Sequence, residues 1–360
     1  MCIKYLTFVF LTLVLTTNVL AKIIKVNDPG WLYTGRIDFS QQRKAYLSWP
    51  GSSIKGQISG KKLVLFLEGE SGQNYLNIII NNNHQHPYVL AVSKGAYRYD
   101  LSHLLNKPNS VVEIFKRTDG NEAGVYFLGI EVEEGVQLGP KPIRPVRRIA
   151  FFGDSITSGA INETADNLSD SEASTADNNS YLSYSAMTAR ALKAEFHSTS
   201  LTGIGFMISW IDFTMSDYFD QLSAKGNNNT VWDFTKWQAD LVVINLGQND
   251  FQLIDLHKRL SPLPSDQQIV DNYVMFSRKL LDVYPNAKFI FTIGSMNATQ
   301  TRRWPGLIQE GVKQLKKQYK GRALSYLEFP FTGYKDHPRV HQHANNSKLL
   351  TAHIQSVMEW

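Results

Sequence analysis

The stretch RIAFFGDSITSG, residues 148–159, decides how this chain is read. Arg148 to Phe152 is a short apolar run of the kind that forms a buried strand, and Gly153 ends it at a turn carrying Asp154 and Ser155. In an open α/β sheet, ligands bind and chemistry is done just beyond the carboxyl ends of the strands. A serine on such a turn presents its hydroxyl to a cleft, with its own backbone N–H available as an oxyanion donor. The same position also suits a serine that only caps a helix, so the rest of the chain has to decide between the two.

Downstream, strands alternate with helices. Leu241 to Leu246 and Phe289 to Ile293 are apolar strand runs, while Tyr181–Glu195, Ile269–Val283, Ile308–Tyr319 and His341–Met358 carry helical periodicity. That alternation predicts a parallel sheet flanked by helices over residues 147–360. Upstream the texture is different: Lys44–Trp49, Lys62–Leu67, Tyr75–Asn81, Tyr88–Val92, Val111–Lys116 and Val125–Val132 are short β-rich runs set off by turn residues. They predict an all-β sandwich of the jelly-roll kind over residues 22–138. Residues 139–146 hold Gly139, Pro140, Pro142 and Pro145 and read as a linker.

The first 21 residues read as a secretory leader. Lys4 is followed by an apolar run from Tyr5 to Leu15 broken only by threonines, and Val19-Leu20-Ala21 supplies small residues for cleavage after Ala21. The expectation is therefore a secreted or periplasmic protein with no stable membrane association. Cleavage also removes Cys2, the single cysteine, which excludes thiol catalysis, disulfides and thiolate metal sites from the remainder. The net charge of +5 is spread without long basic runs and gives no reason to expect a nucleic-acid partner.

Three further blocks bear on Ser155. Leu201-Thr202-Gly203-Ile204-Gly205 follows a second strand, where glycine lets a backbone N–H approach a ligand closely. Asn245-Leu246-Gly247-Gln248-Asn249-Asp250 ends a third strand and offers the Asn249 amide to a developing oxyanion. Asp336-His337-Pro338 opens the last helix, with His337 as a general base for Ser155. His341 lies one helical turn from His337, but no acidic ligand follows at a metal-binding spacing; no metal or organic cofactor is expected, and His343 reads as a packing residue. Asn162 to Ser180, rich in Asn, Asp, Ser, Thr and Glu, reads as a loop, either a rim of the site or a solvated insertion. Of the tryptophans at 210, 232, 237 and 304, most read as core, and one or two could line a ligand cleft.

These blocks resemble the SGNH (GDSL-type) hydrolases and, more narrowly, carbohydrate esterase family 2. The family shows GDSIT, a WSGKG-like glycine block, WDFxxWxPDxVVINLGxNDF and DxHPxxxxH, where this chain has GDSITSG, LTGIG, WDFTKWQADLVVINLGQNDF and HPRVHQH. GRIDF, FKRTDG and YFLGIEVEEG resemble the family's jelly-roll domain, so the likeness spans nearly the whole chain. It implies an esterase that removes O-acetyl groups from plant cell-wall polysaccharides such as xylan and glucomannan through an acetyl-serine. By motif position, Ser155 is then the nucleophile, His337 the base, and the Ser155 N–H, Gly203 N–H and Asn249 amide the oxyanion hole. One departure stands out: the family's acid lies two residues before the histidine, where this chain has Lys335. Either Asp336 takes that role, or a backbone carbonyl orients His337 in a Ser-His dyad. A glycan-binding protein that has lost catalysis, and an esterase or acyltransferase with another acyl substrate, are the competing readings.

Overall fold

In the computed structural model, which describes residues 21–226, 230–331 and 336–360, the first half of the chain pairs into two antiparallel sheets. Ten strands build them: β1 (Ala21–Ile24), β2 (Leu32–Thr34), β3 (Ala45–Leu47), β4 (Ser53–Ser59), β5 (Val64–Gly69), β6 (Asn74–Ile80), β7 (Tyr88–Val92), β8 (Gly95–Asp100), β9 (Asn109–Lys116) and β10 (Val125–Glu133). One sheet runs β1-β10-β5-β8 with β3 also on β10, and the other runs β2-β4-β9-β6-β7. Alternating residues such as Leu65 and Leu67 of β5, Leu76 and Ile78 of β6, and Val112 and Ile114 of β9 fill the space between the sheets. The sandwich expected from the sequence is present, with all six expected strands. β1, β2, β4 and β8 were not expected: SIKGQIS and GAYRYD carry too many polar residues and glycines to read as strands. Residues 1–20 of the expected leader, Cys2 among them, and Lys335 lie outside the described residues, while Ala21 opens β1.

Residues 139–146 form no regular element and lie against the sandwich. The Gly139 N–H donates to the Gln57 carbonyl at 2.8 Å, and the Arg144 guanidinium donates to the Tyr33 carbonyl at 2.8 Å and pairs with Glu195.

The second half is a five-stranded, all-parallel sheet of β11 (Arg148–Gly153), β12 (Glu195–Ser200), β13 (Leu241–Asn245), β14 (Lys288–Ile293) and β15 (Leu324–Glu328), in the order β12-β11-β13-β14-β15. The helices are α1 (Ser155–Ser158), α2 (Tyr184–Ala191), α3 (Met215–Tyr218), α4 (Gln248–Phe251), α5 (Asp266–Val283), α6 (Arg303–Gln318) and α7 (Val340–Met358). Every side chain of β13 is buried, because apolar clusters cover both faces of the sheet. The strand order reverses at β11, so the loops leaving β11 and β13 open a crevice between them. The helix expected over Tyr181–Glu195 is shorter than its periodicity. Lys193 turns into the left-handed region (φ 51°) and the chain re-enters the sheet at Glu195.

The two halves meet along a buried seam. Trp49 of the sandwich joins the apolar core on one face of the parallel sheet: its ring lies 4.8 Å from that of Tyr218 and its Nε1 donates to the Leu222 carbonyl at 2.8 Å. Arg36, also buried, donates to the carbonyls of Phe219 and Gln221 at 2.8 Å each, with the rings of Trp49, Trp232 and Phe234 around its guanidinium. Phe115 and Ile79 of the sandwich pack with Phe196 and Tyr181 in the cluster on the other face of the parallel sheet. Trp49→Ala is therefore expected to cost about 3–5 kcal/mol of stability and to shift both halves together in a urea titration followed by near- and far-UV circular dichroism. A loss below about 1 kcal/mol would mean that the seam does not couple the halves.

Candidate active site

β11 ends at Gly153, where any side chain would collide with the Thr157 hydroxyl at 2.0 Å and the Asn245 carbonyl at 2.9 Å. Asp154 then caps α1: its carboxylate accepts the Ile156 N–H at 3.0 Å. Ser155 is the first helical residue, so its N–H belongs to the set with no partner inside the helix. Burial pushes the Asp154 carboxyl up to about 7, which suits a residue that shapes the turn.

The serine meets a histidine from the far end of the chain. His337 Nε2 lies 2.7 Å from Ser155 Oγ, and His337 Nδ1 lies 2.6 Å from Asp170 Oδ2. The same Asp170 oxygen accepts the His337 backbone N–H at 2.9 Å. Burial alone would raise the Asp170 carboxyl, but the bonds from His337 and Arg339 outweigh it and hold the group down at about 2. Asp170 is therefore ionised near neutral pH and can only accept. The proton of the imidazole then sits on Nδ1, leaving Nε2 as the acceptor for the Ser155 hydroxyl. This is the geometry of a nucleophile, its base and an orienting acid.

Asp170 takes the place for which Asp336 or a backbone carbonyl was expected. Asp336 precedes His337 but makes no hydrogen bond to it among the described residues, and Nδ1 is already engaged by Asp170. The carboxylate arrives on the 162–180 loop, which is held at several points. Ser169 and Glu172 cap a short 3-10 turn that begins at Asp170, and the Asn162 amide donates to the Asn179 carbonyl at 3.0 Å. The Arg117 guanidinium, from the sandwich, donates to the carbonyls of Asn178 and Ala176 at 3.1 and 2.9 Å and pairs with Glu163. Arg339 is the other residue missed in the sequence. Only 1 % exposed, it donates to Asp170 Oδ1 at 2.9 Å and to the Leu168 carbonyl at 2.8 Å, clamping the acid against the start of α7.

Gly203 and Asn249 come to the same crevice. Gly203 follows β12 with φ +86°, a conformation that a side chain disfavours. Its carbonyl accepts the Trp210 N–H at 2.9 Å. Asn249 lies in α4, just beyond β13; its amide donates to the Ile204 carbonyl at 2.9 Å and, at the longer distance of 3.5 Å, to Asp154 Oδ2. The longer of the two bonds is the weaker one, and its hydrogen is the one a ligand oxygen could take over. Buried Asp250 accepts the N–H groups of Phe206, Met207 and Ile208 at 3.2, 2.8 and 3.1 Å and so fixes the loop beyond Gly203. His343 is buried, accepts the Tyr184 N–H at Nδ1 and is pushed down to about 3 by burial, a packing role. Trp232, Trp237 and Trp304 are core, whereas Trp210 is 40 % exposed beside Gly203, with His257 edge-on and the Arg259 guanidinium 4.5 Å from its ring centre.

Known proteins share this architecture. Residues 33–142 match the family model described as carbohydrate esterase 2 N-terminal. An acetylxylan esterase / glucomannan deacetylase of Cellvibrio japonicus is 27% identical over 343 residues, covering 94% of this chain and 91% of that protein. The structure of a family two carbohydrate esterase from Cellvibrio japonicus superposes with a TM-score of 0.84 at 25% identity, over 94% of this chain and 98% of the other. A family two carbohydrate esterase from Clostridium thermocellum, solved in complex with cellohexaose, gives 0.80 at 26% identity over 92% of this chain and all of the other. The paired sheets, the GDSIT turn and these likenesses along both halves converge: residues 33–142 form a carbohydrate esterase 2 N-terminal domain, and the whole chain has the SGNH-type fold of the family two carbohydrate esterases it is similar to.

Proposed function

We propose that this chain is an exported serine esterase that removes O-acetyl groups from cell-wall polysaccharides such as xylan or glucomannan. The observation that carries the reading is the unbroken chain from Ser155 Oγ to His337 to ionised Asp170. Ser155 Oγ adds to the acetyl carbonyl carbon as its proton passes to His337 Nε2. The negative charge that develops on the carbonyl oxygen is met by the N–H groups of Ser155 and Gly203 and by the Asn249 amide. The tetrahedral species collapses, and the sugar oxygen leaves with the proton from His337. Water, deprotonated by the same nitrogen, then attacks the acetyl-serine and releases acetate. Asp170 keeps the imidazole in the tautomer that this requires and stabilises the imidazolium formed in each half-reaction.

Trp210 is the aromatic face offered to the carbohydrate, since an indole gives a sugar ring a broad apolar surface with a polar edge. The relatives' activity and the cellohexaose-bound neighbour support a glycan in this crevice. The apolar run behind Lys4 supports export, with cleavage after Ala21 checked by mass spectrometry of the secreted protein. Among the described residues no helix is long and apolar enough to cross a membrane.

Ser155→Ala is expected to abolish acetate release from 4-nitrophenyl acetate and acetylated glucomannan in folded protein; retained turnover would dismiss Ser155 as nucleophile. Asp170→Asn should lower kcat by about 10³–10⁴-fold by favouring the wrong tautomer, with Asp336→Asn within about twofold of the parent. The reverse ranking would return the acid role to Asp336. Trp210→Ala should raise KM for acetylated polysaccharide while leaving 4-nitrophenyl acetate turnover nearly unchanged. An equal effect on both substrates would deny it a role in sugar binding.

The depressed Asp170 carboxyl also sets a stability signature. A carboxylate held at about 2 rather than at its ordinary 3.8 stabilises the fold above the ordinary value and loses that contribution as pH falls through the lower one. The Tm difference between the parent and Asp170→Asn should be flat above about pH 5 and shrink between about pH 4 and 2. A difference independent of pH would show that the charge of Asp170 does not contribute to the stability of the fold.

A further inference from the structure

We propose that the sandwich contributes positioning residues to the reaction: Asp119 and Asn121 clamp the Thr202–Gly203 peptide so that its N–H faces the developing oxyanion. The proposal rests on the esterase reading above and extends it to a loop some 80 residues earlier in the chain, on the other side of the seam.

The geometry of one peptide group carries the inference. The Thr202 carbonyl and the Gly203 N–H belong to the same planar trans unit and point in opposite directions. Asn121 Nδ2 donates to that carbonyl at 3.3 Å, so the carbonyl is drawn toward the sandwich and the N–H is turned away from it. Asp119 Oδ2 holds the preceding residue twice, accepting the Thr202 N–H at 2.9 Å and the Thr202 hydroxyl at 2.7 Å. The same oxygen takes the Ser158 hydroxyl at 3.3 Å, and Ser158 Oγ lies 3.1 Å from the Ser155 carbonyl one turn back along α1. One carboxylate oxygen thus links the helix that carries the nucleophile to the loop that carries an oxyanion donor.

The clamp is built on a rigid base. Asp119 is only 4 % exposed, and its other oxygen accepts the Asn121 N–H at 2.9 Å, fixing the turn from which Asn121 reaches out. Buried Lys116 at the end of β9 donates to the carbonyls of Thr118 and Asp119 at 2.6 and 3.1 Å, so the loop is tied to its own strand. Preorganised donors lower a barrier because they need not reorient as charge develops, and a dipole held by a second hydrogen bond at its carbonyl end donates more strongly at its N–H end. Both effects pass through Thr202–Gly203 without Asp119 or Asn121 touching the substrate.

The test compares Asn121→Ala, an exposed change that spares the core, with Asp119→Asn, which keeps the shape and removes the charge. Both are assayed for kcat and KM on an acetyl ester and on the matching thionoester, whose sulfur accepts hydrogen bonds poorly. Each variant is expected to lose roughly tenfold in kcat on the oxygen ester with KM within about twofold, less than the 10²–10³-fold that follows loss of a whole oxyanion donor. The oxygen-to-sulfur rate ratio should fall by a similar factor, a change that general loosening of the fold would not produce. An unchanged ratio in both variants, whatever happens to stability, would overturn the clamp. Amide exchange at Thr202 reads the clamp without turnover: it should accelerate in Asp119→Asn, and unchanged protection would also overturn the proposal. A parent that releases no acetate would sink the esterase reading, while the exchange data would still decide the clamp.

Discussion

The ionised carboxylate of Asp170 is the constraint on which the site depends. One of its oxygens receives both the ring and the backbone N–H of His337, and the other receives Arg339. Without an acceptor at Nδ1 the imidazole has no reason to prefer the tautomer that leaves Nε2 free for Ser155. Arg339 keeps the carboxylate charged and anchors it, since a buried guanidinium needs that partner as much as the acid needs a donor. Three elements distant in sequence, the α1 turn, the 162–180 arm and the start of α7, are thereby fixed to one another.

The parallel sheet accounts for where this happens. Its order brings the carboxyl ends of β11, β12 and β13 side by side, so a serine, a glycine and an asparagine from three separate loops share one crevice. The sandwich closes the other side of that crevice. Arg117 supports the arm that delivers Asp170, Asp119 holds the loop beyond β12, and Trp49 and Arg36 bury the seam behind them. The first half of the chain is thus physically continuous with the site built by the second.

Much of this was legible in the residues. GDSITSG, LTGIG and the block ending in GQNDF mark strand ends by their glycines, and a histidine just before the last helix had an obvious use. The acid was hidden for a physical reason. It lies in a polar, serine- and asparagine-rich loop, where an aspartate resembles a solvated residue until tertiary contacts show what it faces. Lys335 in the family's acid position indicated that something else orients His337, and Arg339 two residues beyond it was the signal that a carboxylate had to lie nearby. β12 was obscured in a similar way. EFHSTS is polar yet wholly buried, because Glu195 pairs with Arg144, Ser198 bonds Ser200 at 2.9 Å, and the sandwich covers what would otherwise be an open sheet edge.

The imidazole of His337 offers the most direct measurement. ¹⁵N and ¹H spectra of labelled protein near neutral pH should show the proton on Nδ1, with a downfield resonance that disappears in Asp170→Asn and persists in Asp336→Asn. A proton on Nε2, or a resonance lost with Asp336 and kept without Asp170, would contradict the assignment of Asp170 as the group that orients the base.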